Sequence, residues 1–458
     1  MNRLSRLIVC VWAAGGLSAC TVPEISYETP PILIIDIDTL RADHLGCYGY
    51  HRETSPNIDE FATEATRFEW VFAQAPNTPP SQASILTGVY PTSHGRIGNK
   101  QVISKSAPAL AVELSEAGFT TGAIVDGGLM VSGFGYERGF DLYDDEGGHL
   151  REIGPKVMDY LDDRIDDARR GDRRPWLLLA HTYDVHSPYE ISPRRFKTMF
   201  LSELNELPSE DYRGRMSEVM AGVWKARNEN PPPRLGEAEM AYAVACYDGG
   251  IRHVDHWFGD VVNRLKNMGI YDQCIIVVIS DHGDEFQEHD GLFHEMIYSS
   301  VARIPLIIRF PGGRHAGTVI DDVVESIDLM PTLLGALDLP VPALVQGRDL
   351  GPLIRGGEAG ERVAVTESPF RGRRIAAANH AARLILTEKS GRTELYLYRN
   401  DPLELDDRAA VDPDAVSDLE DAIERWRVLA ETLESPASQG PEWSTEQLEQ
   451  LKALGYLD

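Results

Sequence analysis

Two kinds of segment alternate along this chain: continuous apolar runs, and segments in which apolar residues recur at helical spacing. This alternation indicates a sheet covered by helices. Continuous runs rich in β-branched residues are typical of buried parallel strands, whereas apolar positions repeating every three to four residues indicate helices. Strands are predicted at 32–38, 119–125, 176–181, 274–280 and 305–310. Helices are predicted at 57–64, 107–117, 152–169 and about 236–268. This alternation predicts an α/β fold with a mostly parallel central sheet flanked by helices.

Two segments differ from this pattern. Residues 189–235 interrupt it and hold eight Lys and Arg against seven Asp and Glu. We interpret this segment as a lid or an insertion over a site, with a solvated surface excursion as the alternative. From residue 361 the predicted strands are short and hairpin-like, and two helical patterns follow. The pattern predicts a main domain over 31–360 and a smaller C-terminal α+β subdomain over 361–458.

The first 30 residues have the pattern of an export signal. Arg3 and Arg6 precede a short apolar stretch, which is too short to span a bilayer. The string Leu-Ser-Ala-Cys that ends at Cys20 resembles a bacterial lipobox, in which the cysteine carries lipid; an ordinary secretory signal is the alternative. We therefore expect a signal peptide at 1–19, lipidation of Cys20 and a polar tether at 20–30. The expected location is the bacterial cell envelope, on the outer membrane facing the periplasm.

Composition and charge exclude some classes of function. The 458 residues include 44 Lys and Arg against 72 Asp and Glu, which gives a net charge of −28, and 43% are hydrophobic. The hydrophobic content provides a large core and argues against disorder. The acidity argues against a nucleic-acid partner, because such proteins carry a basic face. The sequence contains no run of about 20 apolar residues, so we expect no transmembrane helix.

Polar side chains stand where two predicted strands end. Asp36 and Asp38 end the first strand, and Asp281 and His282 follow another. Carboxyl ends of parallel strands meet at one edge of a sheet, and carboxylates with one imidazole suit Ca²⁺, Mn²⁺ or Zn²⁺. The pattern predicts one divalent metal ion at Asp38, Asp281 and His282, with capping of strands as the alternative. Asp36 faces the same side of its strand as Asp38 and could assist the metal or be a structural carboxylate.

A hydroxyl is expected at the start of a helix over 78–88. Pro79 and Pro80 favour a first helical turn, and Gly88 fits the helix end. Thr78 would then lie at the helix N-terminus, where free N–H groups and the helix dipole attract anions. A hydroxyl beside a metal and an anion site is a candidate nucleophile; a simple N-cap is the alternative.

These segments together resemble the sulfatase family of the alkaline phosphatase superfamily. The matching motifs occur in the family's order over nearly the whole chain. They are Asp38-Thr39-Leu40-Arg41-Ala42-Asp43-His44-Leu45-Gly46-Cys47-Tyr48-Gly49, Thr78 through Gly88, Tyr90-Pro91, His94-Gly95, His186-Ser187-Pro188-Tyr189, Ser280-Asp281-His282-Gly283, His289, His294, Glu394-Leu395-Tyr396, Asn400-Asp401-Pro402 and Leu454-Gly455-Tyr456. The resemblance implies an alkaline-phosphatase-like fold and a metal-dependent hydrolase that acts on ester bonds.

Four positions depart from the sulfatase pattern. Thr78 stands where sulfatases carry Cys or Ser that is oxidised to formylglycine, and Thr has no route to that aldehyde because its β-carbon bears a methyl group. Gln82 replaces the family's Arg, Thr39 replaces the second Asp of the usual pair, and His282 stands where many sulfatases have Asn. Superfamily relatives with an unmodified Thr act on phosphate esters. The resemblance therefore implies cleavage of phosphate mono- or diesters or phosphonate esters through a covalent intermediate on Thr78.

The resemblance also implies roles for individual residues. The expected metal ligands are Asp38, Thr78, Asp281 and His282. His186 and His294 are expected to bind substrate and to take part in catalysis, and His94 and Lys100 are candidate substrate contacts. Asp145 and His149 have the spacing of a ligand pair in two-metal relatives, but their Gly-rich surroundings favour a single metal.

Three other functions are alternatives to this one. They are a sulfuric ester hydrolase, a periplasmic phosphotransferase and an inactive binding lipoprotein. The expected partners are a small-molecule, glycan or lipid ester and a membrane reached through the lipid anchor.

Overall fold

The structure is a computed structural model that describes most of the chain. It covers residues 25–451 except 227–228, 230–232, 290, 359, 371, 433–437, 446 and 449–450. The predicted signal peptide and Cys20 lie outside the described residues. Among the described helices, none is both long and apolar enough to cross a membrane.

The described part of the predicted tether is packed rather than free. Ile25 and Tyr27 are only 7% and 9% exposed. The amide of Gln273 donates to the carbonyl of Ile25 and accepts from the N–H of Tyr27, at 2.7 and 2.9 Å. The tether prediction therefore fails from Ile25 onward, because apolar side chains in this segment are buried against the main domain.

The centre of the fold is an eight-stranded sheet. The described strands are β1 (Ile32–Ile37), β2 (Thr66–Phe72), β3 (Gln101–Val102), β4 (Thr120–Ile124), β5 (Leu142–Asp144), β6 (Trp176–Thr182), β7 (Ile275–Ile279), β8 (Glu285–Phe286), β9 (Leu292–Phe293), β10 (Arg303–Arg309), β11 (Val319–Glu325), β12 (Ala364–Ser368), β13 (Arg374–Ala378), β14 (Arg383–Thr387), β15 (Arg392–Tyr396) and β16 (Ser438–Gln439). The sheet has the order β11-β2-β10-β7-β1-β6-β4-β5. β1 pairs in parallel with β6 and β7, and β10 is antiparallel to its two neighbours. The predicted mostly parallel sheet is confirmed.

Helices cover both faces of this sheet. The described helices are α1 (Pro56–Thr63), α2 (Thr78–Thr87), α3 (Pro91–His94), α4 (Leu110–Glu116), α5 (His149–Arg169), α6 (Arg194–Lys197), α7 (Glu210–Gly214), α8 (Met216–Ala226), α9 (Glu237–Asn267), α10 (Ser299–Ala302), α11 (Leu329–Ala336), α12 (Gly351–Ile354) and α13 (Pro413–Thr432). Short 3-10 helices lie at Ala42–His44, Gly46–Tyr48, Gly128–Met130, Leu201–Glu203, Tyr271–Gln273, Pro311–Gly313 and Ser326–Asp328. Buried side chains of α1, α5 and α9 pack on one face, and those of α2, α4 and α11 pack on the other. Alternate residues of β1 enter the two cores because successive strand residues point to opposite faces.

The C-terminal region is a small antiparallel sheet of β12 to β15 with α13 packed on one face. Its core joins the main domain, since Tyr90 and Ile327 belong to the same apolar cluster. The second helical pattern predicted for this region lies largely outside the described residues. The segment 189–235 carries α6, α7 and α8, and the buried side chains of α7 and α8 belong to the core cluster that also contains the apolar face of α9.

Candidate active site

Three elements end or begin at one point of the sheet edge. Asp38 directly follows β1, and Asp281 and His282 follow the neighbouring strand β7 after one residue. Thr78 is the first residue of α2, whose N-terminus points at the same place. Two hydrogen bonds hold these elements together: the hydroxyl of Ser81 donates to the carbonyl of Asp281 at 2.7 Å, and the N–H of Leu40 donates to Ser280 at 3.0 Å.

The start of α2 is fixed by local sequence. The preceding residue, Asn77, has extended backbone angles, and prolines occupy the first turn, where no backbone donor is needed. Gly88 ends the helix with a φ of 69°, a left-handed conformation that glycine adopts without steric cost. Pro79 and Pro80 have no N–H group, and the N–H of Ser81 donates to the carbonyl of Asn77 at 3.2 Å. The positive end of the helix dipole, rather than a row of amides, therefore lies at Thr78.

The four predicted metal-site residues meet in the structure. The hydroxyl of Thr78 donates to Oδ2 of Asp38 at 3.2 Å and lies 3.3 Å from Nε2 of His282. Nε2 of His282 lies 3.3 Å from Oδ2 of Asp281. One ligand atom each of Asp38, Asp281 and His282 lies within 4.8 Å of the others. All four side chains are fully buried.

The donor set fits a divalent cation. Oδ1 of Asp38 and Oδ2 of Asp281 are buried without a hydrogen-bond partner. Oδ1 of Asp281 is instead occupied, since it accepts from the N–H groups of Thr39 and His282 at 3.2 and 2.8 Å. Buried carboxylate oxygens without partners are costly unless a cation neutralises them. Burial and the charge of Asp281 raise the pKa of Asp38 well above its ordinary value, because two buried carboxylates lie close together without a compensating positive charge.

Backbone contacts orient the imidazole of His282. Its Nδ1 lies 3.0 Å from the carbonyl of Gly283, which can only accept a hydrogen bond. The ring proton therefore resides on Nδ1, and Nε2 presents its lone pair to the cluster. Burial lowers the pKa of His282, which favours this neutral form.

A second polar layer lies deeper under α2. Asp36 faces His181 across the β1–β6 pair, and Nε2 of His181 lies 3.4 Å from Oδ2 of Asp38. The side-chain polar atoms of Asp36, His181 and Gln82 are buried without hydrogen-bond partners. Burial and Asp281 raise the pKa of Asp36, and burial lowers the pKa of His181 to about 4. Among the described residues, no Lys or Arg forms an ion pair with the carboxylates of this site.

Two further histidines lie on the outer side of the cluster. The ring centroid of His294 lies 4.6 Å from that of His282 and 5.3 Å from that of His186. Nδ1 of His294 donates to Oδ1 of Asp284 at 2.7 Å, and the hydroxyl of Tyr189 donates to Oδ2 of the same carboxylate at 2.8 Å. Nδ1 of His186 faces the carbonyl of Ser187 at 2.7 Å.

The two outer histidines therefore differ in their second partner. Burial lowers the pKa of His186 to about 3 and that of His294 to about 4, and it raises the pKa of Asp284 to about 6. Nδ1 of His294 faces a carboxylate, whereas Nδ1 of His186 faces the carbonyl of Ser187 at 2.7 Å and its hydroxyl at 3.4 Å, so a positive charge is stabilised more strongly on His294.

The structure does not bring His94 and Lys100 to this cluster. Nε2 of His94 lies 3.1 Å from the hydroxyl of Ser84 and 3.2 Å from the carbonyl of Pro80, and Nδ1 accepts from the N–H of Arg96 at 3.1 Å. Lys100 is exposed. His94 packs against α2 because α3 turns its side chain toward that helix.

A separate cluster of Asp126, His149 and Asp184 has metal-like spacing but is internally paired. Asp126 accepts from the N–H of His149 at 2.7 Å, and its Oδ2 lies 2.9 Å from Nδ1 of the same residue. Asp184 accepts from Leu150 and lies 3.1 Å from Nδ1 of His253. The cluster links strand ends to the start of α5 and to the middle of α9. Asp145, the other member of the predicted pair, accepts from the N–H of Ser132 instead.

Trp224 and Asp126 were not singled out from the sequence as site residues. Asp126 follows β4 after one residue, so its place near a strand end was a usable signal. Trp224 lies in the irregular segment 189–235, and no periodicity indicated where its ring would lie.

Comparison with known proteins places these observations in a family. The family model described as Sulfatase matches residues 30–339. The chain belongs to the sulfatase family. A second model, described as N-sulphoglucosamine sulphohydrolase, C-terminal, matches residues 287–428. The expected ester-hydrolase class is thereby confirmed at the level of the family, whose named relatives hydrolyse sulfate or phosphonate esters.

Individual relatives of this sulfatase-family chain differ in what they act on. It is 28% identical over 393 residues to an arylsulfatase of Clostridium perfringens, covering 71% of this chain and 78% of that one. It is 26% identical over 399 residues to the multifunctional alkaline phosphatase superfamily protein PehA of Trinickia caryophylli, covering 71% and 77%.

Solved structures confirm the alkaline-phosphatase-like fold. A protein in complex with its substrate D-glucosamine-2-N,6-O-disulfate matches with a TM-score of 0.74 at 20% identity, over 88% of this chain and 99% of that one. The phosphonate monoester hydrolase of Agrobacterium radiobacter matches with a TM-score of 0.69 at 20% identity, over 88% and 96%. Sulfatase-family enzymes use a divalent metal, and the cluster of Asp38, Asp281 and His282 offers suitable ligands.

Proposed function

We propose that this sulfatase-family protein hydrolyses phosphodiesters or phosphonate monoesters through a covalent intermediate on Thr78. The observation that carries the proposal is the position of a threonine hydroxyl, which cannot become formylglycine, at the N-terminus of α2. This hydroxyl lies 3.2 Å from Asp38 and 3.3 Å from His282. Family members that use formylglycine require Cys or Ser at this position. A threonine in the same place keeps the nucleophilic oxygen and lacks the aldehyde.

The first step is attack of the Thr78 oxygen on phosphorus. Oδ2 of Asp38 accepts the hydrogen bond of the hydroxyl and is the first acceptor for its proton. The positive end of the α2 dipole faces the developing negative charge on the non-bridging oxygens. A divalent cation held by Asp38, Asp281 and His282 would supply further positive charge there and lower the pKa of the hydroxyl.

The leaving alcohol departs on the side opposite Thr78. We assign the protonation of this oxygen to the charged form of His294, which Asp284 at 2.7 Å and the negative charge of the bound ester stabilise against the burial that lowers its pKa. His294 takes the proton back from the water that attacks in the second step. His186, 5.3 Å away between ring centroids, orients a non-bridging oxygen. Water then attacks phosphorus, the bond to Thr78 breaks, and the acid product leaves with the hydroxyl restored.

The charges of the site favour substrates with a single negative charge. Asp36, Asp38 and Asp281 are buried together, and Gln82 contributes no positive charge where the family has Arg. Because the raised pKa of Asp36 keeps that carboxyl protonated, one divalent ion only balances Asp38 and Asp281, and no positive charge is left over for a second charge on the substrate. A phosphodiester or phosphonate monoester carries one charge at neutral pH, whereas a phosphate monoester carries nearly two and leaves more charge uncompensated.

The test is a turnover panel on protein begun at Val22, which omits Cys20. Aryl sulfate, aryl phosphate, bis-aryl phosphate and aryl phosphonate esters are compared with Ca²⁺, Mn²⁺ or Zn²⁺. We expect the diester and the phosphonate to be cleaved fastest, and Thr78→Ala to lower kcat by at least about a thousandfold. Thr78→Ser is the matched control and keeps turnover. Acid-quenched protein should carry phosphoryl on the peptide containing Thr78. Dominant sulfate cleavage, or full activity of Thr78→Ala, would overturn the proposal.

A sulfuric ester hydrolase is the second candidate, and the arylsulfatase relative favours it. The same panel separates the two, because a sulfatase without formylglycine would still prefer the sulfate ester. A periplasmic phosphotransferase is distinguished by added acceptor alcohols, which would divert the phosphoryl group from water. An inactive binding lipoprotein would turn over none of the four esters.

We further propose that Cys20 carries lipid and holds the protein on the outer membrane facing the periplasm. The lipobox-like string that ends at Cys20 supports this location. Metabolic labelling with a fatty acid tests it: label in the full chain and none in Cys20→Ser is expected, and label in both would contradict it.

A further inference from the structure

The segment 189–235 places an aromatic side chain beside the candidate active site. Trp224 lies in the last turn of α8 and is partly exposed. Its ring centroid lies 5.5 Å from that of Phe293, with the planes at 76°, and 6.0 Å from that of His294, with the planes at 38°. Trp224 therefore forms a wall next to the histidine that we assign to the leaving alcohol.

Helix α8 is anchored, so this wall has a fixed position. Met216 and Met220 are fully buried in the main core, and Trp224 follows them at the same four-residue spacing, which places all three on one helix face. The hydroxyl of Ser217 also donates to Glu190, which forms an ion pair with Lys197. The indole is held against the site by the same packing that holds the helix.

The aromatic and imidazole rings form a row that runs from the nucleophile to the exposed end of the site. From the nucleophile outward, Nε2 of His282 lies 3.3 Å from the Thr78 hydroxyl, and the His282 and His294 rings lie 4.6 Å apart. Trp224 lies beyond His294. Exposure rises along the same row, since Thr78 is 0% and His294 4% exposed, and the indole is exposed further. In-line displacement sends the leaving group away from Thr78, toward this outer end.

The chemistry of the outer end favours an uncharged, flat group. Trp224 and Phe293 present aromatic surfaces, and Val223 and Leu292 beside them pack on the same core. The segment 189–235 has eight basic against seven acidic residues, so its own charges nearly balance in a chain with a net charge of −28. Indole faces bind flat rings by stacking and apolar contact.

We propose that Trp224 is a specificity-determining residue that stacks on a ring in the alcohol part of the ester. The shared chemistry is a flat apolar face, which an aryl group or the underside of a pyranose provides and a small alkyl group does not. This inference rests on the proposed ester hydrolysis and names the class of alcohol that the site takes.

The test compares phenyl, glucos-6-yl and ethyl esters of methylphosphonic acid in the wild type, Trp224→Ala and Trp224→Phe. Stacking predicts that Trp224→Ala lowers kcat/KM for the ring-bearing esters by about tenfold to a hundredfold and for the ethyl ester by less than about threefold. Trp224→Phe should keep most of the preference. Whether the phenyl or the glucosyl ester loses more tells which flat face the indole takes. Equal losses for all three esters would show a structural role and overturn the proposal, as would no loss.

Two further measurements keep the outcome decisive. Met220→Ala loosens the helix that holds the indole, so it should reduce the preference for ring-bearing esters in the same direction as Trp224→Ala and by less. A larger loss in Met220→Ala than in Trp224→Ala would assign the preference to the helix and not to the indole. Binding of the intact phenyl and ethyl esters to the Thr78→Ala protein gives the preference without turnover, and it should disappear in Thr78→Ala/Trp224→Ala. If neither phosphonate nor sulfate esters are turned over, the proposed function fails, and this binding comparison still decides the role of Trp224.

Discussion

The Thr78 hydroxyl donates a hydrogen bond of 3.2 Å to Oδ2 of Asp38, although the two residues are 40 positions apart in the chain. The bond joins the first turn of α2 to the carboxyl end of β1. A candidate nucleophile and a candidate metal ligand therefore share one hydrogen bond, so a change at either is expected to affect both functions.

Loss of one carboxylate should remove the metal. Oδ2 of Asp281 is buried without a hydrogen-bond partner, and amides and carbonyls cannot replace its charge. We expect Asp281→Asn to weaken Mn²⁺ binding by about a hundredfold or more and to abolish turnover at micromolar metal. Calorimetric titration and elemental analysis measure this. Asp126→Asn, in the internally paired cluster, should leave one equivalent bound; a loss of metal in that variant would instead place a metal there.

Asp36→Asn should stabilise the metal-free protein increasingly as the pH rises. Burial raises the pKa of Asp36, so the native state keeps a proton that the unfolded state loses above the ordinary Asp value. Wild-type stability then falls with rising pH, by up to about 1.4 kcal/mol per pH unit, until the native carboxyl also ionises. Asp36→Asn has no proton to lose at this position. Urea unfolding of EDTA-treated protein near pH 5 and pH 8 checks this, and a stability gap that does not change with pH would contradict it.

His94→Gln should make the protein less sensitive to acid without changing substrate affinity. Burial lowers the pKa of His94 to about 3, so the unfolded state takes up a proton below about pH 6.5 that the native state refuses. Wild-type stability is lost as the pH falls through this window, by about 2 kcal/mol at pH 5 from this residue. Unfolding midpoints at pH 7 and pH 5 should differ less in His94→Gln. Its KM should remain within about twofold, and a tenfold rise would restore a substrate role for His94.

Arg383→Met should destabilise the fold through the loop that carries His294. Arg383 pairs with Glu404 at 3.0 Å in full burial, and Glu404 also accepts from the N–H and the hydroxyl of Ser299. Removing one partner of a buried ion pair costs about 3–5 kcal/mol because the other charge stays buried. Arg408→Met removes a partly exposed pair with Asp406 and should cost about 0–1 kcal/mol. Similar values for the two variants in urea unfolding would show that the buried pair contributes no more than the surface pair.

Strands with continuous apolar runs were predictable, and strands with mixed faces were not. The predicted strand 274–280 is observed as Ile275–Ile279, and the predicted helix of about 236–268 as Glu237–Asn267. β2 and β11 were missed because charged residues alternate with apolar ones in both. In β11, for example, Asp321 is exposed beside the buried Ile320. Such strands become visible only when their neighbours in the sheet are known.

The residues of the site were predictable where strand ends carried them. Asp38 and Asp281 lie together because β1 and β7 are neighbours, and the motif order of the family pointed to the same set. Periodicity cannot show which way a short helix turns a side chain. His94 was therefore expected in the site and lies behind α2, whereas Trp224 was overlooked and lies beside His294.

The central position of β1 also constrains the order in which the chain can fold. Ile32 lies between Leu177 of β6 and Ile275 of β7, so β1 precedes both of its neighbours in the chain and has both edges paired only after β7 has been made. Until about 280 residues exist, β1 is an apolar strand with an open edge, which invites pairing with other chains. A nascent chain that lacks β7 also lacks Asp281 and His282, so the metal-site residues are incomplete at that stage. Productive folding therefore depends on keeping β1 from pairing with other chains until β7 has been synthesised.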